Sequence, residues 1–223
     1  MAVALACVTG ASAQKQQGGE KNLEVQFAPL GGNPVSISGI RLRIFNSESS
    51  AIRLGLFLGG NSTETIQQEA DNDADLLELI DVDKTFDFAI RPGYEMHFAG
   101  TDRLSPYVGA ELLFAMSNTT TDDQEQYTDE DNDPQVMTTT TKGGTSTIGL
   151  NLVAGADFYF SDAIYLGAEI GFGFANTRDK ENETSYENAP DGFDASTSTQ
   201  GNVKNASWGP NYQGTIRLGW LFN

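Results

Sequence analysis

The chain has 223 residues, a length that suits one domain, and carries 13 Lys and Arg against 31 Asp and Glu, a formal charge of -18. That balance excludes a nucleic-acid binder, which needs basic patches to meet phosphates. No run of about 18 apolar residues is present to form a transmembrane helix. Cys7 is the only cysteine, so a disulfide framework or a cysteine zinc site is excluded as well.

The first stretch, MAVALACVTGASA, is small and apolar and ends on Ala11-Ser12-Ala13 ahead of Gln14, an A-x-A cleavage pattern. Residues 1–13 are therefore expected to be a cleavable signal segment that takes Cys7 with it. Residues 14–21 are left as a short lead into the first strand.

From there the chain alternates with period two, the mark of half-buried strands. Leu23, Val25 and Phe27 oppose Glu24 and Gln26. Ile40, Leu42 and Ile44 oppose Arg41 and Arg43, and Ile52 to Leu58 oppose Arg53. In KTFDFAIRPGYEMHF, Phe86, Phe88, Ile90, Tyr94, Met96 and Phe98 oppose Asp87, Arg91, Glu95 and His97. PYVGAELLFAM sets its apolar face against Glu111, TIGLNLVAGADFYF against Asn151 and Asp157, and AIYLGAEIGFGF against Glu169. The last stretch, WGPNYQGTIRLGWLF, puts Trp208, Tyr212, Ile216, Leu218, Trp220 and Phe222 on one face and Arg217 on the other. No apolar-face position in these eight segments carries a charge.

The connections alternate in length. NSESS, AGTDRLS and SDA are short; 59–83, 118–144 and 175–205 are long and together hold 21 acids against four bases. Tight turns at one rim and long loops at the other are the transmembrane-barrel pattern. The segment lengths suit tilted spans of roughly 10 residues and more. Aromatics mark both ends of the apolar faces: Phe86, Phe174, Trp208 and Tyr212 at the loop side, Phe98, Phe160, Trp220 and Phe222 at the turn side, as belts at two water interfaces do. Half of the 24 glycines fall on the polar face, which suits a confined lumen more than a solvated surface. The expected fold is an all-β, eight-stranded antiparallel up-and-down transmembrane β-barrel over 22–223, with the apolar face towards lipid.

With those eight segments, the turn and loop asymmetry and the aromatic end RLGWLF, the chain resembles the small outer-membrane barrels of the OmpA/OmpX type, without a following periplasmic domain. The resemblance implies an outer-membrane location in a Gram-negative bacterium, periplasmic termini and extracellular long loops. It implies contact with outer-membrane lipid and lipopolysaccharide, and with the assembly machinery through the C-terminal strand. In that family the last strand usually ends on Phe; here Asn223 follows Phe222.

The inner face is expected to carry Arg41, Arg43, Arg53, Arg91 and Arg217 against Glu24, Asp87, Glu95, Glu111, Asp157 and Glu169. Near balance, with every base an arginine, points to bidentate pairing that fills a narrow lumen; a narrow charged channel is the alternative. The chemistry of a reaction centre is thin. His97 is the sole histidine and sits near the turn side, and no phosphate-binding loop or cofactor pattern appears. Asp129-x-Asp131-x-Asp133 has the opening spacing of a calcium loop, but Pro134 stands at the sixth position and Thr140 at the twelfth, so a solvated acidic loop is the expectation. Thr119–Thr121 and Thr138–Thr141 suggest a hairpin reaching beyond the membrane. Leu76 to Ile80 form an apolar island, read as a short helix on the rim or a contact for another outer-membrane protein. The functional expectation is a non-enzymatic barrel acting structurally or by contact, with a small porin-like channel next and a lipid-modifying enzyme last.

Overall fold

A computed structural model of the chain describes residues 15–27, 37–68, 76–193 and 203–222, without the side chains of 27, 37–38 and 210–215. The elements are β1 (Lys21–Phe27), β2 (Ile37–Ser47), β3 (Ser50–Gln68), β4 (Leu79–His97), β5 (Leu104–Thr128), β6 (Pro134–Tyr159), β7 (Ile164–Asp179), β8 (Glu183–Glu187) and β9 (Lys204–Phe222). Each of the long strands pairs antiparallel with its neighbours, and β1 pairs with β9 from Lys21↔Phe222 to Phe27↔Ile216. That last pairing closes a ring of eight strands, so the sheet has no edge within the barrel wall.

The strand outside that ring, β8, is an extension of β7. β7 reaches Thr145↔Asp179 on β6, and β8 resumes on β6 at Lys142↔Glu183. Three residues, Lys180 to Asn182, stand there against two, Gly143 and Gly144, which is a one-residue bulge in a single strand course.

The stretches expected as long loops at 59–83 and 118–144 are instead largely strand. β3 and β4 stay paired to Gln68↔Leu79, and β5 and β6 stay paired to Thr128↔Pro134. In the third long connection, β7, β8 and the start of β9 likewise hold much of 175–205. Beyond Met116, β5 continues for 12 residues, or about 40 Å of strand at about 3.3 Å per residue. Hydroxyl contacts brace this projecting sheet: Thr121 donates to Asp83 at 2.8 Å and Thr140 to Asp122 at 2.7 Å. The island around Leu76 to Ile80 is no helix. Leu79 and Ile80 open β4, while Gln126 Oε1 accepts from the Leu77 N–H and Gln124 Oε1 from the Ile80 N–H. The signal segment 1–13 and the turn PLGGNPVS lie outside the described residues.

Burial is inverted relative to a protein with an aqueous surface. Large apolar side chains face outward, with Leu58 and Ile170 each 70% exposed, while Arg43, Arg53, Glu24, Glu95, Asp157 and Arg217 are fully buried. Outward-facing Phe86, Phe98, Phe160, Phe174, Trp208, Trp220 and Phe222 are all exposed. The side chain of Tyr212 lies outside the described residues.

Candidate functional site: the charged barrel interior

The pleat sends alternate residues of every strand into the lumen, and closure brings together side chains far apart in sequence. Arg43 from β2 is the hub. Its Nε and Nη2 donate to Glu95 Oε2 at 2.8 and 2.5 Å, and its Nη1 donates to Glu24 at 2.9 Å and to Asp157 at 2.7 Å. The guanidinium also lies 5.0 Å from the Phe45 ring centroid and 5.3 Å from that of Tyr107, within the range of a cation–π contact.

Around that hub the ion pairs continue, though Arg53 Nε and Arg217 Nε are buried without a hydrogen-bond partner among the described residues. Arg53 donates to Glu95 at 2.9 Å and to both oxygens of Glu169 at 2.8 and 3.0 Å, and lies 2.8 Å from Glu111. Arg217 donates to Asp157 at 2.6 Å and to Glu24 at 3.1 Å. Arg41 sits more loosely, 3.2 Å from Glu169 and 3.4 Å from Glu24. Four arginines and five carboxylates are thus joined across all eight strands of the ring. Asp87 and Arg91 stand on the same inner face towards the loop side, and among the described residues neither has a carboxylate–cation contact within 4 Å.

Tyrosines complete the carboxylate coordination. Tyr107 donates to Glu169 at 2.5 Å, and Tyr165 donates to Glu24 through a short contact. Each charged group therefore meets several partners in a medium of low polarity, the condition under which a buried ionic cluster is tolerated.

Glycine makes this density achievable. A Cβ at Gly155 would lie 2.5 Å from the Tyr107 hydroxyl, and one at Gly167 would lie 2.5 Å from Arg217 Nη2 and 2.6 Å from Asp157 Oδ1. At Gly219 it would run into the Tyr165 ring. The large inner side chains occupy the space those glycines leave.

Towards the turn side the filling turns aromatic, with Phe45, Ala51, Tyr159, Tyr165 and Leu221 packed as a buried cluster. Here the N-terminal lead enters. Gln16 is 2% exposed, and its amide donates to Ser105 Oγ at 2.8 Å and to the Glu48 carbonyl at 3.1 Å. The Gly19 N–H donates to the Phe45 carbonyl and the Phe45 N–H to the Glu20 carbonyl, so residues 16–20 fold across the turn-side mouth. Neither Gln16 nor Ser105 stood out in the sequence. The inward aromatics were detectable, because Phe45, Tyr107, Tyr159 and Tyr165 all fall on the polar parity of their strands.

His97 links that mouth to the network. Its Nδ1 lies 2.9 Å from Ser105 Oγ, and its Nε2 lies 3.3 Å from Glu95 and 3.2 Å from Arg43 Nη2. Serine, histidine and carboxylate are the residue types of an acyl-transfer triad, but the surroundings oppose that chemistry. Nε2 stands between Arg43, which can only donate, and Glu95, which can only accept, so the ring is held inside the ion-pair network rather than poised as a free base. Glu95 is engaged by Arg43 and Arg53, and Ser105 is covered by Gln16.

Asp129, the first residue of the calcium-like spacing, uses its carboxylate on its own turn. Oδ1 accepts from the Asp131 and Asp133 N–H groups at 3.0 and 2.9 Å, and Oδ2 accepts from Gln135 at 3.2 Å. Among the described residues, no group of three or more His, Cys, Asp or Glu has an arrangement suited to a metal ion.

Three comparisons bear on identity. In structure the chain is similar to the N-terminal β-barrel domain of OprF from Pseudomonas aeruginosa, at 14% identity, over 93% of this chain and 100% of that one, with a TM-score of 0.38. It is also similar to CarO from Acinetobacter baumannii, at 13% identity, over 94% and 99% of the two chains, with a TM-score of 0.39. Comparison with curated proteins gives no match. A family model does match, over residues 60–204. Those residues run from the projecting part of β3 to the start of β9 and make up more than half of the chain, so this protein, an all-β antiparallel barrel of the outer-membrane type, belongs to the putative OmpA-OmpF-like porin family.

Proposed function

We propose that this barrel sits in the outer membrane of a Gram-negative bacterium with its lumen filled at rest, and that it acts through contact rather than catalysis. The turn side faces the periplasm and the projecting strands face outward. The exposed apolar belt meets lipid and lipopolysaccharide, the β9 end engages the assembly machinery, and the projecting sheet is the surface offered to another envelope protein. The observation that carries the closed reading is the unbroken set of contacts among Arg41, Arg43, Arg53, Arg217 and five carboxylates. An eight-stranded barrel has room for side chains and little else. The Ser105–His97–Glu95 arrangement, buried and held in ion pairs, supports no hydrolase reading.

Reconstitution in planar bilayers tests this directly. The unmodified protein is expected to be silent at neutral pH; steady unitary currents would overturn the filled lumen. Membership of a porin family favours the channel as the second reading, and in that case Arg217→Glu would shift ion selectivity towards cations. For the contact role, purification of the tagged chain from native membranes in mild detergent is expected to bring a stoichiometric companion. Recovery of the barrel alone would remove the subunit form of the proposal.

A further inference from the structure

The bulge between β7 and β8 opens a hollow in the barrel wall at its loop-side mouth. Opposite the bulge β6 has two successive glycines and hence no side chains. Gly144 has a φ of 148°, a conformation that L side chains rarely adopt. A Cβ there would strike the Ser117 carbonyl oxygen, and one at Gly143 would strike Asn182 Oδ1. Gly144 takes no side chain without deforming the backbone beside it, whereas at Gly143 the obstacle is the movable end of the Asn182 side chain. The bulge itself is pinned, with the Lys180 N–H donating to the Gly144 carbonyl at 2.9 Å and Lys180 Nζ to Asn118 Oδ1 at 2.5 Å. The result is a cavity of about 300 Å³ bordered by Ser117, Thr119, Thr145, Asp179, Lys180 and Asn182. That volume is at the lower end of small-molecule sites, which begin at about 300 Å³.

From this lining we infer a binding site for one saccharide unit. Three hydroxyls both donate and accept, and Asp179 accepts. Such a set matches a ring bearing several hydroxyls, each of which needs a donor and an acceptor. Other ligand classes fit less well. The one ammonium is already directed at Asn118, which leaves little for a phosphate. A lone carboxylate is a poor site for a hard divalent cation, and the lining has no apolar wall for a hydrophobic molecule. Ser117, Thr119, Thr145 and Asp179 share the inner-face parity of β5, β6 and β7, so the hollow opens onto the mouth. It lies just past Met116 and Ile148, where the outward apolar face of β5 and β6 ends. A sugar reaches that level either free in solution or at the end of a lipid-linked chain.

The test uses the full chain in detergent micelles, with saturation-transfer NMR against glucose, galactose and N-acetylglucosamine, and separately against core oligosaccharide released from lipopolysaccharide. At least one monosaccharide is expected to bind saturably, on the order of 1–10 mM for so small a ligand. Thr119→Val with Thr145→Val, which keeps strand propensity and removes two hydroxyls, is expected to weaken that binding by about tenfold or more. Gly143→Val, which fills the hollow, is expected to abolish it. Tighter binding of the core oligosaccharide would assign a lipid-linked source, and equal or weaker binding a free one. No saturable signal with any probe, or binding unchanged in the folded Thr119/Thr145 double variant, would overturn the site.

Discussion

The Gln16 amide donates to Ser105 Oγ at 2.8 Å across a separation of 89 residues, and Ser105 in turn meets His97 Nδ1 at 2.9 Å. The N-terminal lead is thereby joined to the ion-pair network by a two-step relay that crosses the turn-side mouth. Gln16→Ala should cost about 1 kcal/mol for the lost hydrogen bond and open that mouth. Carbethoxylation of His97, 7% exposed in the intact protein, is then expected to quicken severalfold. An unchanged rate in the variant would show that something other than Gln16 shields the ring.

Arg43 and Arg41 differ in how much rests on them. Arg43→Met takes one close partner from each of Glu24, Glu95 and Asp157, all fully buried, and leaves them to Arg53 and Arg217, whereas the contacts of Arg41 run from 3.2 to 3.8 Å. Breaking a buried ionic cluster at one member costs about 3–5 kcal/mol. Urea unfolding in detergent or liposomes should place Arg43→Met in that range and Arg41→Met well below it. Equal losses would mean that the network has no hub.

Gly219 faces the Tyr165 ring, whose Cζ, Cε1 and hydroxyl oxygen are the three atoms nearest to a built Cβ. Gly219→Ala should destabilise the barrel by about 1–3 kcal/mol through overpacking. In a Tyr165→Leu background the same change should cost less, and the double-mutant cycle isolates the coupling. Additive losses would place the strain elsewhere.

Outside the membrane-spanning part, Asp123 is held above the ordinary aspartate range, first by desolvation and then by the charges of Asp81, Asp83, Glu125 and Asp122. With the folded value raised, the folded state binds the proton more readily than the unfolded one. The penalty is therefore present at neutral pH and is relieved as pH falls through the folded value towards the unfolded one. NMR titration of the Asp123 carboxyl carbon should give a midpoint above about 3.9, moved down by Asp83→Asn. A midpoint at or below that value in the unmodified chain would contradict the acid crowding.

Alternation made the inner and outer faces legible from the sequence. Each strand exposes one parity to lipid and the other to the lumen, so Leu58 and Trp220 could be separated from Arg53 and Arg217 without a structure. The eight-strand count, the inner position of the charges and the aromatic rims follow from the same period. The projecting sheet was harder to find, because past Met116 the strands have no lipid to face and the period-two signal stops while backbone pairing continues. Only the threonine runs hinted at it. Contacts across the lumen were beyond reach of any local pattern. Parity says that Glu24 and Tyr165 point inward, but closure of β1 on β9 and the stagger of the strands set them at one level, 141 residues apart. Gln16 follows the same logic: nothing local marks it, and its role arises from the closed wall it is folded against.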